Sequence, residues 1–216
     1  MWSWLSVALS GFISISALES NNIKQAVMFK TFSMLLLVVI LLSQTSQLSS
    51  PILWISLGLC VSAFADSLHV LQRYPRVCFA TFLLAQLMYS KAFWLQLSGV
   101  MVWWLPALLI AASIVAFFLL LPQIDTLIFP VAIMGLMLIQ LAWASGELWL
   151  QAHTVGALCG FVGSLVLILS ALLLAIHDYR RPLPFGRYLI SGSYLLAQAL
   201  ITASVVLQTL NTSGCD

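Results

Sequence analysis

The sequence predicts an all-α, polytopic integral membrane protein: a bundle of eight transmembrane helices with both termini on the non-cytoplasmic side. Three observations carry that expectation. Of the 216 residues, 62% are hydrophobic and only 6% are charged, against about 45–50% and about 25% in soluble domains. The apolar residues fall into eight runs of bilayer-crossing length, and the basic residues gather on alternate loops. So little charge cannot cover a water-exposed surface. A soluble enzyme, a disordered chain and a nucleic-acid binder are therefore excluded, and the chain reads as a single transmembrane domain over 1–216.

A helix needs about 20 mostly apolar residues to cross the hydrocarbon core. The runs are 2–18, 26–42, 51–71, 77–97, 100–121, 127–146, 154–176 and 188–210. None alternates with the period of two that a transmembrane strand requires. The first run has no Lys or Arg ahead of it, as a secretory signal would, and reads as a retained span. The second opens on Lys30 in VMFKTF. The third starts at SSP, with Ser50 as cap and Pro51 at the first helical position. Pro75 and Arg76 precede the fourth. The division between the fourth and fifth is the weakest, marked only by QLSG at 96–99. LLPQID at 120–125 ends the fifth, and Glu147 in WASGELWL marks the far end of the sixth. In the seventh, Gly156, Gly160 and Ser164 recur every four residues and form a close-packing face. RRPLPFGR at 180–187 separates the last two runs.

Numbering loops by the run they follow, loops one, three, five and seven hold Lys24, Lys30, Arg73, Arg76, Arg180, Arg181 and Arg187, and the other side holds Lys91. Cytoplasmic loops carry the excess of basic residues, which places the odd loops in the cytoplasm. Cys60, Cys78, Cys159 and Cys215 form no CxxC pair, and the first three sit inside apolar runs. They read as small core residues.

Function must lie with the few polar residues inside the membrane, because an ionisable group at mid-bilayer costs roughly 2.5–3.5 kcal/mol. Asp66 is the clearest. It sits about five residues before the end of the third run, roughly 8–10 Å inside the cytoplasmic boundary. Gly58, Ser62, Asp66 and His69 make one polar stripe on that helix. Lys30 reads either as a snorkelling anchor or as the counter-charge to Asp66 or to a lipid phosphate, and an Asp66–Lys30 ion pair that only fixes helix packing is the non-catalytic alternative for Asp66. Ser191, Tyr194, Gln198 and Thr202 form a second stripe, and Gln86, Tyr89 and Ser90 a third cluster. Together they predict a pocket opening toward the cytoplasmic leaflet. Glu147 falls at the opposite membrane face, between Trp143 and Trp149, and reads as a helix end near the outer interface. Asp66, His69, His177 and Asp178 lie on one side, but nothing like HExxH supports a metal, and no cofactor motif is present.

The segments FKTFSMLLLVVIL, GLCVSAFADSLHVL, FLLAQLMYS, WASGELW, GFVGSLVLILSALLLA and SGSYLLAQALI occur in this order along nearly the whole chain. In that order the sequence resembles the YhhN family, which includes the lysoplasmalogenases. The resemblance implies an eight-helix hydrolase of lipid metabolism in the bacterial inner membrane. It would cleave the vinyl ether bond of lysoplasmalogens to a fatty aldehyde and a glycerophospho-alcohol. It also implies a catalytic role for Asp66, with Lys30, Tyr194 and Gln198 at matching family positions; the polar stripes add Gln86 and Tyr89 to these as substrate contacts. Three positions depart from the family pattern. Ala65 precedes Asp66 where the family has Gly, Gln86 stands in place of a His, and Ala171 follows Ser170 where the family has a second Asp.

Hydrolysis of a vinyl ether begins with protonation of the alkene. The resulting oxocarbenium ion is captured by water, and the hemiacetal then collapses. The reaction needs a general acid and a carboxylate facing the cation. Asp66 fits either role. The alternative reading is a non-catalytic lipid-binding or transport protein on the same bundle, with a lysophospholipid or other membrane lipid as its partner.

Overall fold

The computed structural model describes residues 2–19, 22–44, 49–71, 74–120, 128–179 and 185–213. Among these, regular structure is helical throughout: α1 (Trp2–Glu19), α2 (Ile23–Gln44), α3 (Ser50–Leu71), α4 (Pro75–Trp94), α5 (Trp104–Leu120), α6 (Ile128–Ala152), α7 (Val155–Tyr179) and α8 (Gly186–Ser213). Six of them, α2, α3, α4, α6, α7 and α8, are long and apolar enough to cross a membrane. α1 and α5 contribute shorter apolar stretches, Ser3–Ala17 and Trp104–Ala116. Arg73, Arg180, Arg181 and Cys215 lie outside the described residues, as do the side chains of Arg187 and Asp178.

Each helix overlaps one of the eight apolar runs, and the ends differ for local reasons. α3 starts one residue early: the Leu53 N–H donates to the Ser49 carbonyl at 3.1 Å, so Ser49 is the cap and Pro51 still sits in the first turn. Proline costs nothing there because that N–H would have no partner. Residues 95–103 are non-helical, which delays α5 to Trp104. α6 does not end at Gly146. It runs on to Ala152, because Glu147 is buried within the bundle instead of marking its edge.

Successive helices run antiparallel. Ser14 Oγ donates to the Ala26 carbonyl and Ser10 Oγ to that of Phe29, joining α1 to α2. Thr31 and Ser67 join α2 to α3, and Ser62 and Tyr89 join α3 to α4. Ser145 meets Ser164 between α6 and α7, and Ser170 Oγ donates to the Ile190 carbonyl between α7 and α8. α4 and α6 lie side by side in parallel, with Gln86 against Met134 and Trp94 against Trp143. These pairs define a proximal end, where the odd-numbered helices finish, and a distal end.

The tightest packing is between α7 and α8. A Cβ on Gly156, Gly160 or Gly163 would come within 3.0 Å of atoms on α8: the Ser204 carbonyl and Gln208, the Ser204 hydroxyl, and Leu200 respectively. Small residues let two backbones approach this closely in a bilayer. The close-packing face is thus Gly156, Gly160 and Gly163. Ser164 turns instead toward α6, with 2.9 Å between its hydroxyl and that of Ser145. α6 and α7 are joined by His153 and Thr154 alone. His153 adopts φ 48° and its N–H donates to the Trp149 carbonyl, which closes α6 with a left-handed residue. The Thr154 hydroxyl then caps α7 by accepting the Ala157 N–H.

Candidate functional site

α2, α3, α4 and α8 converge on Asp66. Five residues from the end of α3, it lies on the inward face that also carries Gly58 and Ser62, and its side chain is 1% exposed. Lys30 reaches it from α2, with Nζ 2.9 Å from Oδ1. Of the two positional readings of Lys30, the geometry is that of the counter-charge. One residue further along each helix, the Thr31 and Ser67 hydroxyls meet at 3.0 Å and hold the two backbones in register beside the ion pair. An unpaired charge at this depth would be costly, and pairing reduces that cost.

The wall facing the pair is aromatic and polar. Lys30 Nζ lies 5.3 Å from the centre of the Tyr194 ring, a cation–π distance. The Tyr194 hydroxyl is within electrostatic reach of Asp66, Ser62, Gln198 and Tyr89. Tyr89 and Ser62 hydroxyls are 3.1 Å apart. This contact depends on Gly58, one turn earlier, since a Cβ there would run into the Tyr89 ring. Gln198 is buried beneath them, and Thr202 donates to its carbonyl at 2.8 Å. The structure therefore gathers Asp66, Lys30, Tyr89, Tyr194 and Gln198 into one buried cluster.

Gln86 stands at the edge of this group. Its Nε2 donates to Met134 Sδ on α6 at 3.1 Å, and its Oε1 is buried without a hydrogen-bond partner among the described residues. His69 departs from the buried stripe: it is exposed, and its ring meets the edge of Phe82, which in turn abuts Tyr194. Among the described residues no group of three His, Cys, Asp or Glu is placed to hold a metal ion.

Met134 also belongs to a second feature. α5, α6 and α7, with Phe79 of α4, line an open apolar groove of about 650 Å³, whose wall includes Met134, Leu138, Ile168 and Ala171. Ala171, where the resemblance implies an aspartate, thus lines an apolar wall. Glu147 is placed at the distal end, away from Asp66, but its burial was not legible in the sequence. It is 0% exposed, and Oε1 accepts the Val102 N–H at 2.8 Å and Gln151 Nε2 at 3.2 Å. Gln151 Oε1 accepts the Gly99 N–H in turn, so this side chain pair ties down the 95–103 segment. The signal in the sequence is Glu147 and Gln151 one turn apart near the end of a largely apolar helix.

α1 is the other unexpected contributor. Gly11 and Ser14 join Lys30, Ser33, Ser191 and Tyr194 around a cavity of about 20 Å³ beside the ion pair.

The YhhN family model matches residues 25–205. Proteins named uncharacterized membrane protein YhhN, from Escherichia coli O6:H1 (strain CFT073), Escherichia coli O157:H7 and Shigella flexneri, are each 29% identical over 210 residues. The match covers 96% of this chain and 100% of theirs. No solved structure matches the chain.

Proposed function

The chain belongs to the YhhN family of membrane proteins, and on that premise we propose that it is a lysoplasmalogenase-like lipid hydrolase whose catalytic residue is Asp66. The observation that carries this reading is the buried Asp66–Lys30 pair, enclosed by Tyr89, Tyr194 and Gln198. Carboxyl, ammonium and phenol groups at one point inside an apolar bundle suit a reaction that moves a proton onto an alkene and then faces a cation.

In this reading the alkenyl carbon remote from the ether oxygen takes a proton. The other alkenyl carbon becomes an oxocarbenium centre facing Asp66, water adds there, and the proton lost by that water balances the one consumed. The hemiacetal splits into fatty aldehyde and glycerophospho-alcohol. Lys30 orients Asp66, while Gln86, Tyr89, Tyr194 and Gln198 line the substrate end. The apolar groove beyond Gln86 suits a hydrocarbon chain. All eight helices span the bacterial inner membrane, with both termini outside and the proximal end at the cytoplasmic face. Seven basic residues against one on the two sides support that orientation.

Ala171 favours a second reading, a lipid-binding or transport protein that kept the bundle without the second carboxylate. Purified protein in detergent, given a lysoplasmalogen and its saturated alkyl-ether analogue, separates the two. A hydrolase releases aldehyde from the first lipid only. A carrier binds both and releases none.

A further inference from the structure

The small cavity beside Lys30 has the dimensions and lining of a solvent site. Its volume is about 20 Å³, and a cavity needs about 10–15 Å³ on this kind of measure to hold one water molecule. Its wall sets polar side chains among apolar ones: Lys30 and Ser33 from α2, Ser14 from α1, and Ser191 and Tyr194 from α8, with Gly11, Ile15, Met34 and Leu195 completing the lining. The donors and acceptors there are complementary to water. The Ser14 hydroxyl proton is committed to the Ala26 carbonyl, and that of Ser33 to the Ser10 hydroxyl and the Phe29 carbonyl. Both oxygens are left to accept. The Lys30 ammonium only donates, and one of its three protons faces Asp66. A group that accepts from an ammonium and donates twice to hydroxyl oxygens is a water molecule. A phosphate, with five heavy atoms, is too large for the space.

We propose that α1, α2 and α8 form a binding site for one resident water, held by Lys30, Ser14 and Ser33 next to the Asp66 ion pair. Occupancy of the site stands on this geometry alone. Its further role, as the water consumed in hydrolysis, rests on the hydrolase reading.

Met34 offers a reporter, because it lines the cavity yet is 0% exposed. Hydroxyl radicals generated by a millisecond X-ray pulse oxidise side chains beside bound water, so the intact protein in detergent is irradiated and methionine oxidation is read by mass spectrometry. Met101, 39% exposed in the 95–103 segment, is the solvent-accessible control. Met34 should oxidise within about tenfold of Met101 despite its burial. Ser14→Val adds a methyl to the cavity and removes an acceptor, and Met34 oxidation should then fall about tenfold with Met101 unchanged. Ser191→Val fills the same space from α8 and serves if the first variant does not fold. A silent Met34 in the wild type overturns the site. So does oxidation that persists in a folded filling variant. Neither result depends on whether aldehyde is released, so the hydrolase reading stands or falls separately.

Discussion

Replacing Lys30 by methionine strands Asp66, and the structure gives the consequence a sign and a size. Asp66 is 1% exposed and its Oδ1 lies 2.9 Å from Lys30 Nζ, whereas the Lys30 side chain is 20% exposed. Removing one partner of a buried pair costs about 3–5 kcal/mol, because an uncompensated group is left behind. The reverse change, Asp66→Asn, should cost less, roughly 1–2 kcal/mol, because a freed lysine can extend its long stem toward the proximal interface while an aspartate cannot. The double variant Lys30→Met/Asp66→Asn should melt above Lys30→Met alone, with a coupling of about 2 kcal/mol. Thermal unfolding in detergent, followed through tryptophan fluorescence, reads all four proteins of the cycle. Strictly additive effects, or Asp66→Asn as the more damaging single change, would refute the account of Lys30 as the counter-charge.

Three other outcomes follow from local geometry. His153→Gly should raise the melting temperature, since a non-glycine residue at φ 48° costs about 1–2 kcal/mol; a lower midpoint would show that the His153 side chain contributes more than its backbone costs. Glu147→Gln should keep nearly normal activity and stability, because Gln retains an oxygen for the Val102 N–H, while Glu147→Leu strands that N–H at about 1–3 kcal/mol and should speed proteolysis within 95–103. Ala171→Asp should raise aldehyde release only in a protein with Asp66 intact; a folded variant with unchanged activity would sink a two-aspartate mechanism.

The helices were legible because burial in lipid demands long apolar runs whatever the tertiary contacts. Their ends were less so. The start of α5 is set by a segment tethered through Glu147 and Gln151, and nothing in the fifth run itself records that. The stripes on α3, α4 and α8 placed Asp66, Tyr89, Tyr194 and Gln198 on inward faces, since a period of 3.6 is readable along one helix. Which helix faces which is not. The Ser14 and Ser33 contribution next to Lys30 arises from α1 lying against α2 and α8, a long-range choice that no local pattern encodes. His69 shows the limit of the stripe in the other direction: it belongs to the same stripe as Asp66 yet is exposed, with Phe82 of α4 against its ring.

The central claim is that Asp66 performs vinyl ether hydrolysis. Its most direct test is fatty aldehyde release from a lysoplasmalogen by matched amounts of purified wild type and Asp66→Asn, each verified as folded by gel filtration and thermal melt. Wild-type protein should release aldehyde and Asp66→Asn should release it at least ~100-fold more slowly, the scale of a lost acid–base group. Equal rates from the two proteins, or no aldehyde from folded wild type, would contradict the account.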